Sequence, residues 1–397
     1  MEETVTKNQE RMIFVRDALT WQTYILLGIY AYIQAGLGPV MPFLGKELHL
    51  NYTQESLHLS LFALGMLLAG LCGDYVARYG GHRMTFNGGA IGMALGAICF
   101  SLSQQPFFTL ASAFIMGCLG SFLLVDIQTV LSDHHGEHRT IALTEANIVA
   151  SGGAGLAPLL LGALVLVGVN WRGIFVLPIV LIVALFFCLR RVAFPEIRRG
   201  EAVKQHSSRQ RLPLVFWLYW GIIVLSVSVE FCMSFWGAQF LVSVVGLPRA
   251  TASVVMGLFF FMAVIARLIG SRLVRFLPAD RLLLLFLAVV LLGFPFFWLG
   301  PTILLHILGL CVTGIGVANL FPLTLSAAIH QSSASADIAS ARCTFAAGLA
   351  VLGAPLALGW MADAVGLQPA YGIVPVLVVI AGGIAFLARR WTIAKRF

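Results

Sequence analysis

Apolar runs of about 20 residues recur from one end of the chain to the other. Each is long enough to cross the ~30 Å hydrocarbon core of a bilayer as a helix rising 1.5 Å per residue. Inside lipid every backbone N–H and C=O must be satisfied within one helix or within a closed barrel, and the alternating pattern of a barrel is absent. The chain is therefore read as an all-α integral membrane protein. Only 11% of its 397 residues are charged and 59% are hydrophobic, against roughly 25% charged in soluble domains. The spans fall near residues 19–44, 55–79, 84–104, 107–132, 141–166, 172–189, 213–245, 250–276, 282–299, 301–329, 338–364 and 370–388. The first run is too long for a signal h-region and follows a charged arm (Lys7, Glu10, Arg11, Arg16), so a retained helix is expected.

The net charge is +8, a balance that in a soluble chain would point to nucleic acid. Orientation explains it better. With the N-terminus inside, the cytoplasmic segments hold 20 of the 25 basic residues, whereas the outer loops hold Lys46, Arg172 and Arg249. The positive-inside rule then places both termini in the cytoplasm of a plasma or inner membrane, and twelve spans agree. All seven cysteines fall in the apolar spans without a paired short spacing, so neither a disulfide framework nor a zinc module is indicated.

The long polar stretch from Arg190 to Leu212 divides the spans six and six, and across it the sequence repeats at a constant offset of 197 residues. Gly73 and Arg78 map onto Gly270 and Arg275, and Gly117 maps onto Gly314. In span 5, Ala157-Pro158-Leu159 with Leu161-Gly162 maps onto Ala354-Pro355-Leu356 with Leu358-Gly359 in span 11, and Pro178 maps onto Pro375. One offset serving four helix pairs implies two pseudo-symmetric six-helix bundles related by an axis along the membrane normal, with a solute path between them. The expected divisions are an N-terminal arm (1–18), a first bundle (19–189), a linker (190–212), a second bundle (213–388) and a tail (389–397).

The loop after span 2 reads Gly73-Asp74-Tyr75-Val76-Ala77-Arg78-Tyr79-Gly80-Gly81-His82-Arg83. It resembles the G-x-x-x-D-R-x-G-x-x-R motif of the major facilitator superfamily, with the glycines and both arginines in register. The aspartate position is Ala77, so the motif's charge pairing would fall to Asp74, nearly one turn earlier. The resemblance covers essentially the whole chain and implies a secondary transporter working by alternating access. Span 5, with Gly152-Gly153-Ala154-Gly155-Leu156-Ala157-Pro158, is similar to the family's antiporter motif but has Ala157 where glycine usually precedes proline. Close packing through small residues is the simpler account of it. Glu230, Trp236 and Gln239 in span 7 resemble a pattern of the sugar and drug branches.

An ionisable side chain deep in a span costs at least ~2.5–3.5 kcal/mol on insertion scales, and so marks a functional position by default. Glu230, near the middle of span 7, is the first candidate for a proton or cation site, with an architectural hydrogen bond as the alternative. Asp126 in span 4 is a second candidate, unless it only faces an inner vestibule. In the family, spans 1, 4, 7 and 10 line the cavity, which makes Tyr30, Tyr32, Gln34, Gln128, Trp236, Gln239 and Asn319 plausible solute contacts. No Lys or Arg stands at the middle of a cavity helix, with Arg267 in span 8 the exception to watch. A neutral or cationic solute is expected. The family's helix neighbours further imply a cytoplasmic gate of two pairs, Asp74 with Arg342 and Glu145 with Arg272 or Arg275, flanked by Arg78 and Arg83.

His134-His135-Gly136-Glu137-His138 satisfies H-x-x-E-H literally, but a short charged loop is the simpler reading. Asn51-Tyr52-Thr53 is a glycosylation sequon. No Walker motif occurs, so a proton gradient is the expected driving force, with no cofactor, no metal and no enzymatic activity. The expected partners are a small-molecule solute, protons and the lipid bilayer, and the expected state is a monomer. A lipid flippase and a transport-inactive sensor remain the alternatives on the same fold.

Overall fold

The computed structural model describes residues 14–188, 212–332 and 336–394. Residues 1–13 of the expected arm, 189–211 across the expected linker and 395–397 of the tail lie outside the described residues, as do the side chains of Asp74 and Arg78. The first half comprises α1 (Ala18–Leu48), α2 (Tyr52–Gly80), α3 (His82–Leu102), α4 (Pro106–His135), α5 (Arg139–Leu166) and α6 (Val176–Cys188). The second comprises α7 (Leu214–Ser243), α8 (Arg249–Leu273), α9 (Ala279–Leu299), α10 (Ile303–Val317), α11 (Leu320–His330), α12 (Ala336–Val365), α13 (Leu367–Ala370) and α14 (Ile373–Ala394).

Ten apolar helical stretches among the described residues are long enough to cross a membrane, and one of them, residues 106–166, contains both α4 and α5. A 3-10 turn at Gly136–His138 separates the two. They run in opposite directions: α1 meets the end of α4 through Thr20 and His135 and the start of α5 through Arg16 and Glu145. A shorter apolar helix, Trp171–Phe187, follows at the sixth expected position. The tenth position is occupied by two helices, α10 and α11, and the break has a covalent cause. Pro322 carries no N–H for the carbonyl of Ala318 four residues earlier, and its ring crowds that oxygen. The single helix expected over 301–329 accordingly stops at Val317 and restarts at Leu320.

The repeat read from the sequence reappears as repeated contacts. Gly117 on α4 packs against the backbone of Phe62 on α2, and Gly314 on α10 packs against that of Phe259 on α8, each member displaced by 197 residues. The seams between the halves follow the repeat to within one residue. A Cβ on Gly162 of α5 would lie 2.7 Å from the carbonyl oxygen of Ala250 at the start of α8, and one on Gly359 of α12 would lie 2.8 Å from that of Tyr52 at the start of α2. Small residues let these backbones approach where no apolar solvent difference drives helices together.

The bundle has two ends. The terminal face carries Asp17, His134 and the Asp280–Arg389 pair at 3.0 Å. The far face carries Glu47, bound by Arg172 in a two-pronged pair at 2.7 Å on each arm, and the start of α2. There Asn51 and Gln54 cap one another, and Asp363 on α12 of the other half accepts from the N–H groups of Tyr52 and Thr53 at 2.8 and 3.0 Å and from the Thr53 hydroxyl at 2.6 Å. Carboxylates at a helix N-terminus are favoured by its unpaired N–H groups and dipole, so this cap ties the halves together at the far face.

Candidate functional site

A cavity of about 190 Å³ lies between the halves, lined by α1, α2 and α5 from the first and by α7, α8 and α10 from the second. Its walls are largely apolar, and its polar groups are Gln34, Asn147, Ser151, Glu230, Ser234 and Arg267. The Arg267 guanidinium organises them. Its Nη2 stands 3.8 Å from Glu230 Oε1, its Nη1 donates to Ser151 Oγ at 2.9 Å, and its Nε donates to the Ala318 carbonyl at 3.3 Å. That carbonyl is the one Pro322 deprives of a helical partner. The neighbouring Asn319 donates to the Ala266 carbonyl at 2.8 Å, pinning the broken tenth position against α8. A sequence-level break in one helix thus supplies the acceptor that orients the cation.

The three groups that meet here are where the repeat fails. At the 197-residue offset Glu230 corresponds to Ile33, Arg267 to Gly70 and Ser151 to Gly348. The scaffold is symmetric and its chemistry is not. Glu230 and Arg267 sit in the second half and Ser151 in the first, so the Arg267–Ser151 bond must break or stretch whenever the halves separate at this level. Both charged side chains face the cavity, 26% and 46% exposed respectively, and the pair is a loose contact rather than a closed two-pronged bridge.

The structure brings Glu230 and Gln34 to the cavity and turns most of the other expected contacts away. Tyr30 is buried with its hydroxyl at 2.9 Å from Ser121 Oγ, and Tyr32 donates to the Ile174 carbonyl at 2.8 Å. Trp236 is fully buried and donates to the Pro355 carbonyl at 2.9 Å. Asn319 serves α8 as described. Asp126 is buried in α4 and Gln128 is exposed on it, and neither lines the cavity, nor does Gln239. Arg267, the exception named from the sequence, does line the cavity.

The gate residues also take other partners. Glu145 binds Arg16 through both oxygens, at 2.8 and 2.5 Å, and accepts from the Tyr24 hydroxyl at 3.2 Å, so in this structure it does not pair with Arg272 or Arg275, which are both exposed. The Arg342 guanidinium lies 5.3 Å from the Trp217 ring centroid, a cation–π contact within the second half. Arg83 is exposed on α3. The histidines of the H-x-x-E-H stretch seat the start of α1: His134 contacts Asp17 at 2.8 Å, and His135 contacts Thr20 at 2.9 Å. Partial burial opposes ionisation of Asp17, but the backbone and hydroxyl donors of Thr20, with His134 beside them, hold its carboxyl below the usual range.

The comparisons agree with this geometry. The family model described as Major Facilitator Superfamily matches residues 23–341. An uncharacterized MFS-type transporter of Yersinia pestis is 23% identical over 363 residues, covering 88% of this chain and 91% of its own. Among solved structures, a point mutant of the nucleoside transporter NupG superposes with a TM-score of 0.78 at 12% identity, covering 94% of this chain and 98% of its own. A D-xylose-proton symporter gives 0.72 at 14% identity over 93% and 96%. A bacterial homologue of the human lysosomal transporter Spinster, inward-facing and occupied, gives 0.73 at 16% identity over 94% and 96%. With a repeated six-helix scaffold, a cavity between its halves and a family model that spans most of its length, the chain belongs to the major facilitator superfamily and is a multi-pass membrane protein.

Proposed function

We propose that the protein is a secondary transporter that moves a small, polar, electrically neutral organic solute through the cavity between its halves, coupled to protons at Glu230. The observation that carries this reading is the Glu230–Arg267–Ser151 constellation, placed where the two halves meet and absent from the symmetry-related positions. Protonation of Glu230 removes its attraction for Arg267, and a solute hydroxyl or carbonyl can then take the freed guanidinium donors. Proton and solute therefore act on the same ion pair, which is what coupling requires. A cavity of about 190 Å³ lies below the roughly 300 Å³ at which drug-sized pockets begin, which favours a compact solute. A D-xylose-proton symporter and a nucleoside transporter share the fold, and both names denote compact polar solutes.

Arg267 in the cavity wall disfavours the cationic solutes that the sequence had left open. It also favours a second reading, in which a solute carboxylate or phosphate binds Arg267 while Glu230 is protonated. The terminal face would be cytoplasmic in a plasma membrane, as its basic residues require under the positive-inside rule. In that orientation the structure is closed outside by the Asp363 cap. The Glu145 and Arg342 contacts would then belong to the state in which the cytoplasmic gate is unmade, with Asp74, Arg78, Arg83, Arg272 and Arg275 as the residues that would rearrange. Asp126 is the next candidate for coupling should Glu230 fail.

A thermal-shift panel of sugars, nucleosides, organic anions and organic cations, read at two pH values in the natural protein and Glu230→Gln, tests the proposal. Binders stabilise the fold by mass action. Neutral polar hits whose pH dependence disappears in Glu230→Gln are expected. Hits confined to cations, or an unchanged pH dependence in the variant, would contradict the assignment.

A further inference from the structure

Glu55, in the first turn of α2, is 3% exposed, and its Oε2 is buried without a hydrogen-bond partner. It lies against Gly45 on α1, where any Cβ would collide with the carboxyl. An acidic residue in a first turn ordinarily serves the helix N-terminus, but here those donors are already taken. Gln54 N–H is held by Asn51, and the N–H groups of Tyr52 and Thr53 by Asp363. Among the described residues, the groups around Glu55 supply no cation to neutralise it. Asp363 on α12 is a second carboxylate, Tyr52 and His58 lie on its own helix, and α4 offers Thr109, which is bound to His58. At the end of α1, Lys46 and His49 are exposed and Glu47 is held by Arg172. Ser243 and Trp236 of α7, beside Tyr52, bring no charge.

An ionised carboxylate buried without donor or counter-ion, and beside a second carboxylate, is far costlier than the neutral acid. The closed far face therefore accommodates Glu55 only with its proton. Separation of α2 from α12 would break the Asp363 cap and admit water to Glu55, where the ionised form is no longer penalised. We propose that Glu55 is a second proton site, distinct from the cavity, which lets the far face close when it is protonated and holds that face open when it is ionised. The proposal rests on the alternating-access reading and adds a direction to it: a proton taken up on the far side favours closure there.

The test places spin labels at Phe107→Cys and Leu304→Cys, exposed positions (72% and 65%) that correspond at the 197-residue offset, with the seven native cysteines replaced. Distances across the far face are measured from about pH 5 to about pH 8 in a Glu230→Gln background, which silences the cavity carboxyl; a single linked proton changes the closed-to-open ratio by at most about tenfold per pH unit. With Glu55 intact the ratio should rise as pH falls, with Glu55→Gln it should stay high throughout, and with Asp363→Asn it should drop while retaining its slope. An unchanged slope in Glu55→Gln overturns the proposal and leaves alternating access standing. Loss of the slope in Asp363→Asn also overturns it, because the titrating group is then Asp363. A far face that opens in no variant at any pH contradicts both this proposal and the alternating-access reading.

Discussion

Gly38 and Phe235 occupy the same position in the two halves of the repeat, and they touch: a Cβ on Gly38 would lie 2.6 Å from the Cα of Phe235. Two equivalent residues can meet only on the axis that relates them, so the pseudo-two-fold axis passes between α1 and α7 at this level. Gly38 also lines the cavity, which places the solute path on the axis. Gly38→Ala should therefore lower stability by about 1–3 kcal/mol, the usual cost of overpacking, and appear as a melting temperature reduced by several degrees. Gly70→Ala is the control, because nothing lies within 4 Å of the added Cβ, and it should leave the melting temperature unchanged or slightly raised.

Arg267 and Glu230 form a loose pair open to the cavity, so the pair's own contribution to stability is small. Its disruption is a different matter, since it leaves one charge alone among apolar helices. Arg267→Met should lower the melting temperature more than the double variant Arg267→Met with Glu230→Gln does. A double-mutant cycle should return a coupling of about 0.5–3 kcal/mol. Zero coupling would mean that the two side chains do not sense each other.

Pro322 holds the helix break open. Pro322→Ala restores a donor to the Ala318 carbonyl and removes the ring clash, so local helix stability should rise by up to about 3 kcal/mol. The acceptor held by Arg267 Nε is lost at the same time. The expected outcome is a higher melting temperature together with a smaller thermal shift for whichever solute the panel identifies.

Asp17 caps α1 and its carboxyl is held below the ordinary range. A depressed folded value means that its stabilisation is complete above the unfolded value, near pH 4, and is lost as the pH falls through the folded value. Replacing an N-cap aspartate costs about 0.5–2 kcal/mol. The melting-temperature difference between the natural protein and Asp17→Ala should thus be constant from near neutrality down to about pH 5 and shrink below about pH 4.

Much of the fold was legible because its signals are covalent or compositional. Length of apolar run fixes a span, and a constant offset fixes the two bundles. The cavity was harder to read, since an apolar helix does not announce which side faces a partner and which faces lipid. Tyr32 and Gln34 are two residues apart, about 200° around α1 at 3.6 residues per turn, so they cannot both face the cavity. Gln34 does, and Tyr32 points instead to Ile174. Tyr30 is nearly in phase with Gln34, yet a turn lower α1 lies against α4 and the ring meets Ser121. Glu230 could be found because charge in mid-span is costly, and Arg267 was visible for the same reason. What orients Arg267 was not legible from its own position, because the acceptor it holds, the Ala318 carbonyl, is freed by the break that Pro322 imposes on another helix. Glu55 was missed for a plainer reason: it marks the first residue of its apolar run, where a carboxylate ordinarily lies in water, and only the cap from Asp363 and the close approach of Gly45 bury it.

Net solute movement driven by an imposed pH gradient in proteoliposomes, compared with solute exchange in its absence, tests the central role of Glu230 most directly. The natural protein should accumulate or expel the solute in response to the gradient, and Glu230→Gln should lose that net movement while retaining exchange, because its halves still rock around a bound solute. Gradient-driven movement that persists undiminished in Glu230→Gln would contradict the account.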